Sequence, residues 1–189
     1  MTAACGVVLA AGAGSRYGQP KAEIVIEGAR LLDRAIRTLR DGGCHDVVAV
    51  VRPGTTATDA TVVVNPDPAR GLGSSLRLGL QAATGALAVI LLADLPGVTP
   101  DAVRRVMAAG APVAVATYAG RRGHPVAIAR EHWDEAGRLA VGDEGARPFL
   151  LAHLSLVAEV PCVGDPTDID TPDDLARWAA GRQAHTDRQ

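Results

Sequence analysis

Short apolar runs recur along this chain, and most are followed by a segment with helical spacing. Cys5–Ala10, Asp46–Val51, Thr61–Val64, Leu87–Leu92 and Pro112–Thr117 are too short for helices and read as strands. Gly12, Pro53-Gly54 and Asn65-Pro66 close the first three. Between them, Leu31, Leu32, Ala35, Ile36 and Leu39 line one helical face that Gly42-Gly43 ends, and Ser74 opens a second helix to about Ala83. Thr99 and Pro100 start a third, as cap and first position. Such alternation predicts an α/β fold, a doubly wound, mostly parallel, Rossmann-like sheet. Leu87–Leu92, the most apolar run, is expected at its centre. Sheets of this kind bind ligands at the carboxyl ends of their strands.

Further along, Gly120-Arg-Arg-Gly123 lies between two β-like runs and reads as a hairpin or long loop. Two short helices are expected over Glu131–Leu139 and Ala146–Leu154, then a strand over Ser155–Val160. Thr171-Pro172 begins a final helix with Asp173 and Asp174 in its first turn, where carboxylates suit the helix dipole. One domain over residues 1–181 and a flexible tail over 182–189 accommodate the 189 residues.

Composition narrows the function classes. A formal charge of −2 gives no basic excess for nucleic acid or an acidic membrane, and aromatics at 3% leave no base-stacking platform. The longest apolar run, Ala86–Ala93, is far short of a membrane span. Met1–Gly14 lacks the basic start of a secretion signal, so a cytoplasmic protein is expected. Cys5, Cys44 and Cys162 are odd in number and widely spaced, which predicts buried, reduced thiols.

The loop after the first strand carries the chemistry. Leu9, Ala10, Ala11, Gly12, Gly14 and Ser15 are small or flexible enough for the backbone to wrap an anion with its N–H groups. Arg16 and Lys21 add charge for phosphate oxygens. The chain has eighteen arginines and one lysine, and that lysine stands here. Lys presents a compact point charge where Arg presents a planar fork. A dinucleotide loop would need a third glycine where Tyr17 stands, and an acid near Arg52-Pro53. Gly18-Gln-Pro-Lys21-Ala22 does not fit a P-loop either, and a plain glycine turn is the remaining alternative.

Asp94 ends the most apolar strand, either as a local cap or as a Mg²⁺ ligand placed where such sheets hold substrates. Asp170, ahead of Thr171-Pro172, is either a cap for the last helix or a second ligand, with Asp168 the weaker choice. One of Ser74 and Ser75 is expected to be the helix cap. His124, expected on a loop at the same rim, and Arg147 are candidates for binding a second substrate or are surface residues.

The ordered set Leu9-Ala-Ala-Gly12 through Lys21, Gly71-Leu-Gly-Ser-Ser-Leu76, Leu92-Ala-Asp-Leu-Pro96, Gly120–Val126, Gly142–Arg147 and Asp168–Leu175 resembles the MobA-like NTP transferases, most closely molybdenum cofactor cytidylyltransferases of MocA type. The resemblance implies a Mg²⁺-dependent enzyme that transfers a nucleoside monophosphate to a phosphorylated acceptor, molybdopterin, and releases pyrophosphate. It implies nucleotide contacts from Leu9–Gly14, Ser15, Arg16, Lys21, Gly73, Ser74 and Ser75, metal ligation by Asp94 and Asp170, and acceptor contacts from His124 and Arg147. It also implies that Arg16 and Lys21 are the catalytic pair. Ala11, in L-A-A-G rather than L-A-G-G, favours CTP. A molybdoenzyme receiving the product is an implied partner. The alternatives are transfer to a sugar phosphate or other small phosphate, and a non-catalytic protein that delivers molybdopterin. If a point charge is needed, Lys21→Ala lowers turnover strongly with the fold intact, and Lys21→Arg is also impaired; steady-state kinetics beside a thermal melt check both.

Overall fold

The computed structural model describes residues 3–12, 14 and 17–186, with the side chains of 181–186 left aside. Strands β1 (Ala4–Leu9), β4 (Asp46–Val51), β5 (Thr61–Val64), β6 (Leu87–Leu92), β7 (Val113–Tyr118), β8 (Arg121–Ala129) and β9 (Val157–Pro161) form one sheet in the order β5-β4-β1-β6-β8-β7-β9. The pairs β1–β4, β1–β6, β4–β5 and β7–β9 are parallel, and β8 runs antiparallel between β6 and β7. The fold is therefore doubly wound and mostly parallel, and β6 stands at its centre. A second, two-stranded sheet, β2 (Val25–Ile26) with β3 (Ala29–Arg30), has no periodic signal in the sequence because each strand is only two residues long.

The helices cover both faces. Leu32, Ala35, Ile36 and Leu39 of α1 (Leu31–Asp41) and Ala102, Val103 and Val106 of α3 (Pro100–Ala108) pack with Val8, Ala49 and Val89 on one side. Leu76 and Leu80 of α2 (Leu72–Ala82), Trp133 and Ala136 of α4 (Trp133–Leu139) and Phe149 of α5 (Arg147–Ala152) pack with Val7, Val50 and Ile90 on the other. Alternate residues of β1, β4 and β6 thus bury in opposite layers, as a sheet covered on both faces requires. Cys5 and Cys44 are buried free thiols and Cys162 is partly buried; burial pushes the Cys44 thiol up to about 12.

Several local expectations are met and others corrected. Thr99 caps α3, its hydroxyl accepting from the Ala102 N–H at 3.2 Å. Residues 118–123 form the β7–β8 hairpin. Helix α2, however, starts at Leu72, two residues before Ser74, and neither serine is its cap. That position is Gly71, at φ 87°, and Ser74 Oγ instead donates to the Gly71 carbonyl at 2.8 Å. His124 lies within β8 rather than on a loop. Asp174 does more than complement a dipole. Its carboxylate accepts from the Thr171 N–H and hydroxyl, both at 2.7 Å, while Thr171 Oγ1 accepts from the Asp174 N–H at 3.2 Å. This reciprocal box starts α6 (Pro172–Thr186) and, with Arg177, holds the Asp174 carboxyl down at about 2.

A third apolar cluster pins α6 and the segment before it to the rest. Ile169 is fully buried among Ile24, Ile26, Leu31 and Trp178. It stands between Asp168 and Asp170, so its burial sets where those acids lie. Ile169→Ala is expected to cost about 2–5 kcal/mol, as cavity-forming substitutions do. Chemical denaturation of wild type and variant measures it.

Candidate functional site

The register of the central strands builds the site. Leu9 of β1 pairs with Leu92 of β6 and with Val50 of β4, so all three strands end at one edge. There the Ala93 N–H donates to the Leu9 carbonyl at 3.2 Å, and Ala10 donates to Val50 at 2.8 Å. The N–H groups of Ala11 and Gly12 have no acceptor among the described residues, and both residues line a crevice of about 620 Å³. That volume suits a small-molecule site.

The loop folds back at Gly14. At φ +60°, the Gly14 carbonyl accepts from Tyr17 and Gly18 at 2.9 and 3.0 Å. A Cβ there would lie 2.0 Å from the Gln19 carbonyl oxygen and 3.0 Å from the Lys21 nitrogen. Only glycine permits this approach, and it delivers Lys21 to the crevice. Ser15 and Arg16 fall outside the described residues.

The acids arrive from two other directions. Asp94 follows β6. The segment after β9 is tied beneath it: Asp165 N–H donates to the Gly97 carbonyl at 3.0 Å, and Ile169 N–H to the Asp94 carbonyl at 2.9 Å. Carboxylate oxygens of Asp94, Asp168 and Asp170 consequently lie within 4.8 Å of one another. Lys21 Nζ donates to Asp94 Oδ2 at 2.6 Å and also pairs with Asp170 Oδ1. Burial disfavours the ammonium, but the attraction of Asp94 and Asp170 outweighs it and the Lys21 pKa is raised. Asp94 Oδ1 is buried without a hydrogen-bond partner. A buried carboxylate oxygen left so is costly unless a cation meets it. Three convergent carboxylates with one orphaned oxygen fit a hard divalent cation.

Pro68, Ala69, Leu72, Ser75 and Asp143 also line the crevice. The turn before α2 is close-packed: a Cβ on Gly71 would meet Gly142 at 2.4 Å, and Asp143 Oδ1 accepts from the Leu72 N–H at 3.4 Å. Pro68, Ala69, Leu72 and Asp143 were not among the residues singled out by the sequence, although the Gly71–Leu76 and Gly142–Arg147 blocks contain Leu72 and Asp143.

Of the residues the sequence does single out, Leu9, Ala10, Ala11, Gly12, Gly14, Lys21, Ser75, Asp94 and Asp170 line the crevice. Asp168 joins them. Ser74 faces Gly71 and Asn65, and Gly73 packs against the Ala140–Val141 backbone. His124 comes to the same edge because β8 is reversed. Its Nδ1 lies 3.2 Å from the Ile90 carbonyl, and burial lowers its pKa. Arg147 is exposed at the start of α5, away from the crevice lining.

A doubly wound sheet with a glycine turn, a lysine and converging acids at its carboxyl edge has the architecture of α/β proteins that bind ligands at that edge. Residues 6–157 match the MobA-like NTP transferase domain, and the chain belongs to that nucleotidyltransferase family. It is 35% identical to the nicotine blue oxidoreductase of Paenarthrobacter nicotinovorans, over 91% of this chain and 94% of that one. It is 29% identical to the molybdenum cofactor guanylyltransferase of Rhizobium meliloti (strain 1021), over 97% and 94%. The crystal structure of Rv0371c from Mycobacterium tuberculosis H37Rv in complex with manganese superposes with a TM-score of 0.77 at 30% identity, covering 93% of this chain and 97% of that one. No helix among the described residues is long and apolar enough to cross a membrane.

Gly14→Ala forces both a strained φ and a clash. It is expected to weaken nucleotide binding by about tenfold or more, the equivalent of 1–3 kcal/mol of backbone strain. Titration of NTP into wild type and variant measures it.

Proposed function

We propose that this protein transfers a nucleoside monophosphate from an NTP to a phosphorylated acceptor. The observation that carries the reading is Lys21, held by Asp94 and Asp170 in the crevice that Gly12 and Gly14 also line. An acceptor phosphate oxygen attacks the α-phosphorus, the bond to the β-phosphate oxygen breaks, and pyrophosphate leaves. Such a reaction depends on positioning and charge neutralisation more than on covalent help. The N–H groups of Ala11 and Gly12 hold phosphate oxygens, Lys21 neutralises charge growing at the α-phosphate, and Arg16 binds the β- and γ-phosphates. Asp94 and Asp170, with Asp168, are the residues that would hold Mg²⁺ or Mn²⁺. The bound cation supplies charge neutralisation and a template for phosphate oxygens. That the mycobacterial relative was crystallised as a manganese complex supports a divalent cation for a protein of this fold.

Pro68, Ala69 and Leu72 offer the base an apolar wall. His124 and Arg147 are assigned to the acceptor side, His124 by its place at the rim. For the substrate we propose CTP and molybdopterin. The resemblance at Ala11 supports the base, and the rhizobial relative supports the acceptor while naming a guanylyl transfer.

A second reading rests on the Paenarthrobacter nicotinovorans relative, whose name describes an oxidoreductase. Under it the same crevice would hold a reduced nicotinamide nucleotide. The acid that holds the ribose in many dinucleotide sites is missing, since Arg52 and Pro53 follow β4, but an arginine there suits a 2′-phosphate.

One screen separates these. Pyrophosphate is followed with each of the four NTPs, with and without molybdopterin or sugar 1-phosphates, and NADH and NADPH oxidation is followed in parallel with nicotine blue as the electron acceptor. Pyrophosphate release with CTP and molybdopterin is expected. Release with sugar 1-phosphates alone moves the acceptor, nucleotide binding without release favours a delivery protein, and NADPH oxidation alone favours the second reading. Asp94→Asn is expected to raise the divalent-cation concentration needed for half-maximal activity by roughly 10–100-fold or more. An unchanged metal titration contradicts the assignment.

A further inference from the structure

Asn65 is almost wholly buried, at 2% exposure, although it follows edge strand β5. Its side-chain oxygen accepts from the Asp67 N–H at 3.0 Å. A backbone N–H can only donate, so the atom facing it must be the amide oxygen, and the orientation of the amide is fixed. The NH₂ end therefore points the other way. It donates to Ser74 Oγ at 2.9 Å and to Ser75 Oγ at 3.0 Å, one hydrogen to each.

The consequence falls on the serines. A hydroxyl that accepts from an amide must direct its own hydrogen elsewhere. Ser74 directs it to the Gly71 carbonyl. Ser75 has no acceptor among the described residues, is itself 3% exposed, and lines the crevice beside Leu72 and Ala69. A buried donor without a partner is costly, and a ligand acceptor removes that cost.

We propose that Asn65 is a positioning residue that sets Ser75 as a hydrogen-bond donor toward the bound nucleotide. The ligand atom at Ser75 is then an acceptor, a carbonyl oxygen or ring nitrogen of the base, because the lining beside it, Pro68, Ala69 and Leu72, is apolar. This rests on the nucleotide reading given above.

Asn65→Asp keeps the shape and the acceptor for Asp67 but removes both donors. The serine hydroxyls then donate to the new carboxylate and Ser75 meets the ligand as an acceptor. Asn65→Ala is the uncharged second variant. CTP, GTP and inorganic tripolyphosphate are titrated into wild type, both Asn65 variants, Ser75→Ala and the Asn65→Asp/Ser75→Ala double variant, with thermal melts alongside. The preferred NTP is expected to bind about five- to tenfold more weakly to each variant. Tripolyphosphate affinity is expected to stay unchanged, and the double variant to lose no more than Ser75→Ala alone. Wild-type NTP affinity in folded variants overturns the proposal. So do additive losses, or an equal fall in tripolyphosphate affinity, which would make Asn65 a scaffold residue. Wild type that binds neither NTP overturns the nucleotide reading, and this inference with it.

Discussion

Three carboxylates that reach within 4.8 Å of one another repel, and the fold is arranged to keep them there. Their separation in sequence is large, with Asp94 ending a strand and Asp168 and Asp170 preceding the last helix. The Ile169 N–H bonded to the Asp94 carbonyl ties the two segments, and the fully buried Ile169 side chain keeps the tie from opening. Lys21 supplies a countercharge among them. Pairing of this kind is weak support for stability, because removing charges from water offsets most of the attraction. Under the proposed function it is a site held ready for a ligand that carries its own charges.

The sheet accounts for the convergence. Parallel β4, β1 and β6 bring three carboxyl ends to one edge, which places the first turn and Asp94 there, and the reversal at Gly14 brings Lys21 to them. One reversed strand adds a further element. Because β8 runs against β6, its beginning rather than its end reaches the same edge, and it brings His124 there. Another part of the lining comes from the packing of the turn before α2 against the Gly142–Asp143 backbone, a contact between segments some seventy residues apart.

Those two kinds of cause explain what could be read from the sequence. The strands over Asp46–Val51, Thr61–Val64 and Leu87–Leu92 were legible to the residue, since an apolar run between breakers is a local signal. So were the Thr99 cap and the lone lysine beside the glycine turn. The start of α2 was not, because its first N–H, that of Leu72, is met by Asp143 from far along the chain rather than by a local serine. Asp174 was legible as a helix-start acid but not as half of a capping box, and that box leaves Thr171, not Asp170, to start the helix. Asn65 read only as part of a strand-ending turn. Its role in the crevice wall depends on burial, which composition and spacing do not report.

The central claim is that this edge of the sheet grips a triphosphate while the acids share a divalent cation. A crystal structure with a non-hydrolysable CTP analogue and Mn²⁺, read by manganese anomalous scattering, tests it most directly. The account predicts an anomalous peak among Asp94, Asp168 and Asp170, with the triphosphate on the Ala11–Gly14 backbone and Lys21 against its α-phosphate. A nucleotide seated elsewhere, or no metal at those acids, would contradict it.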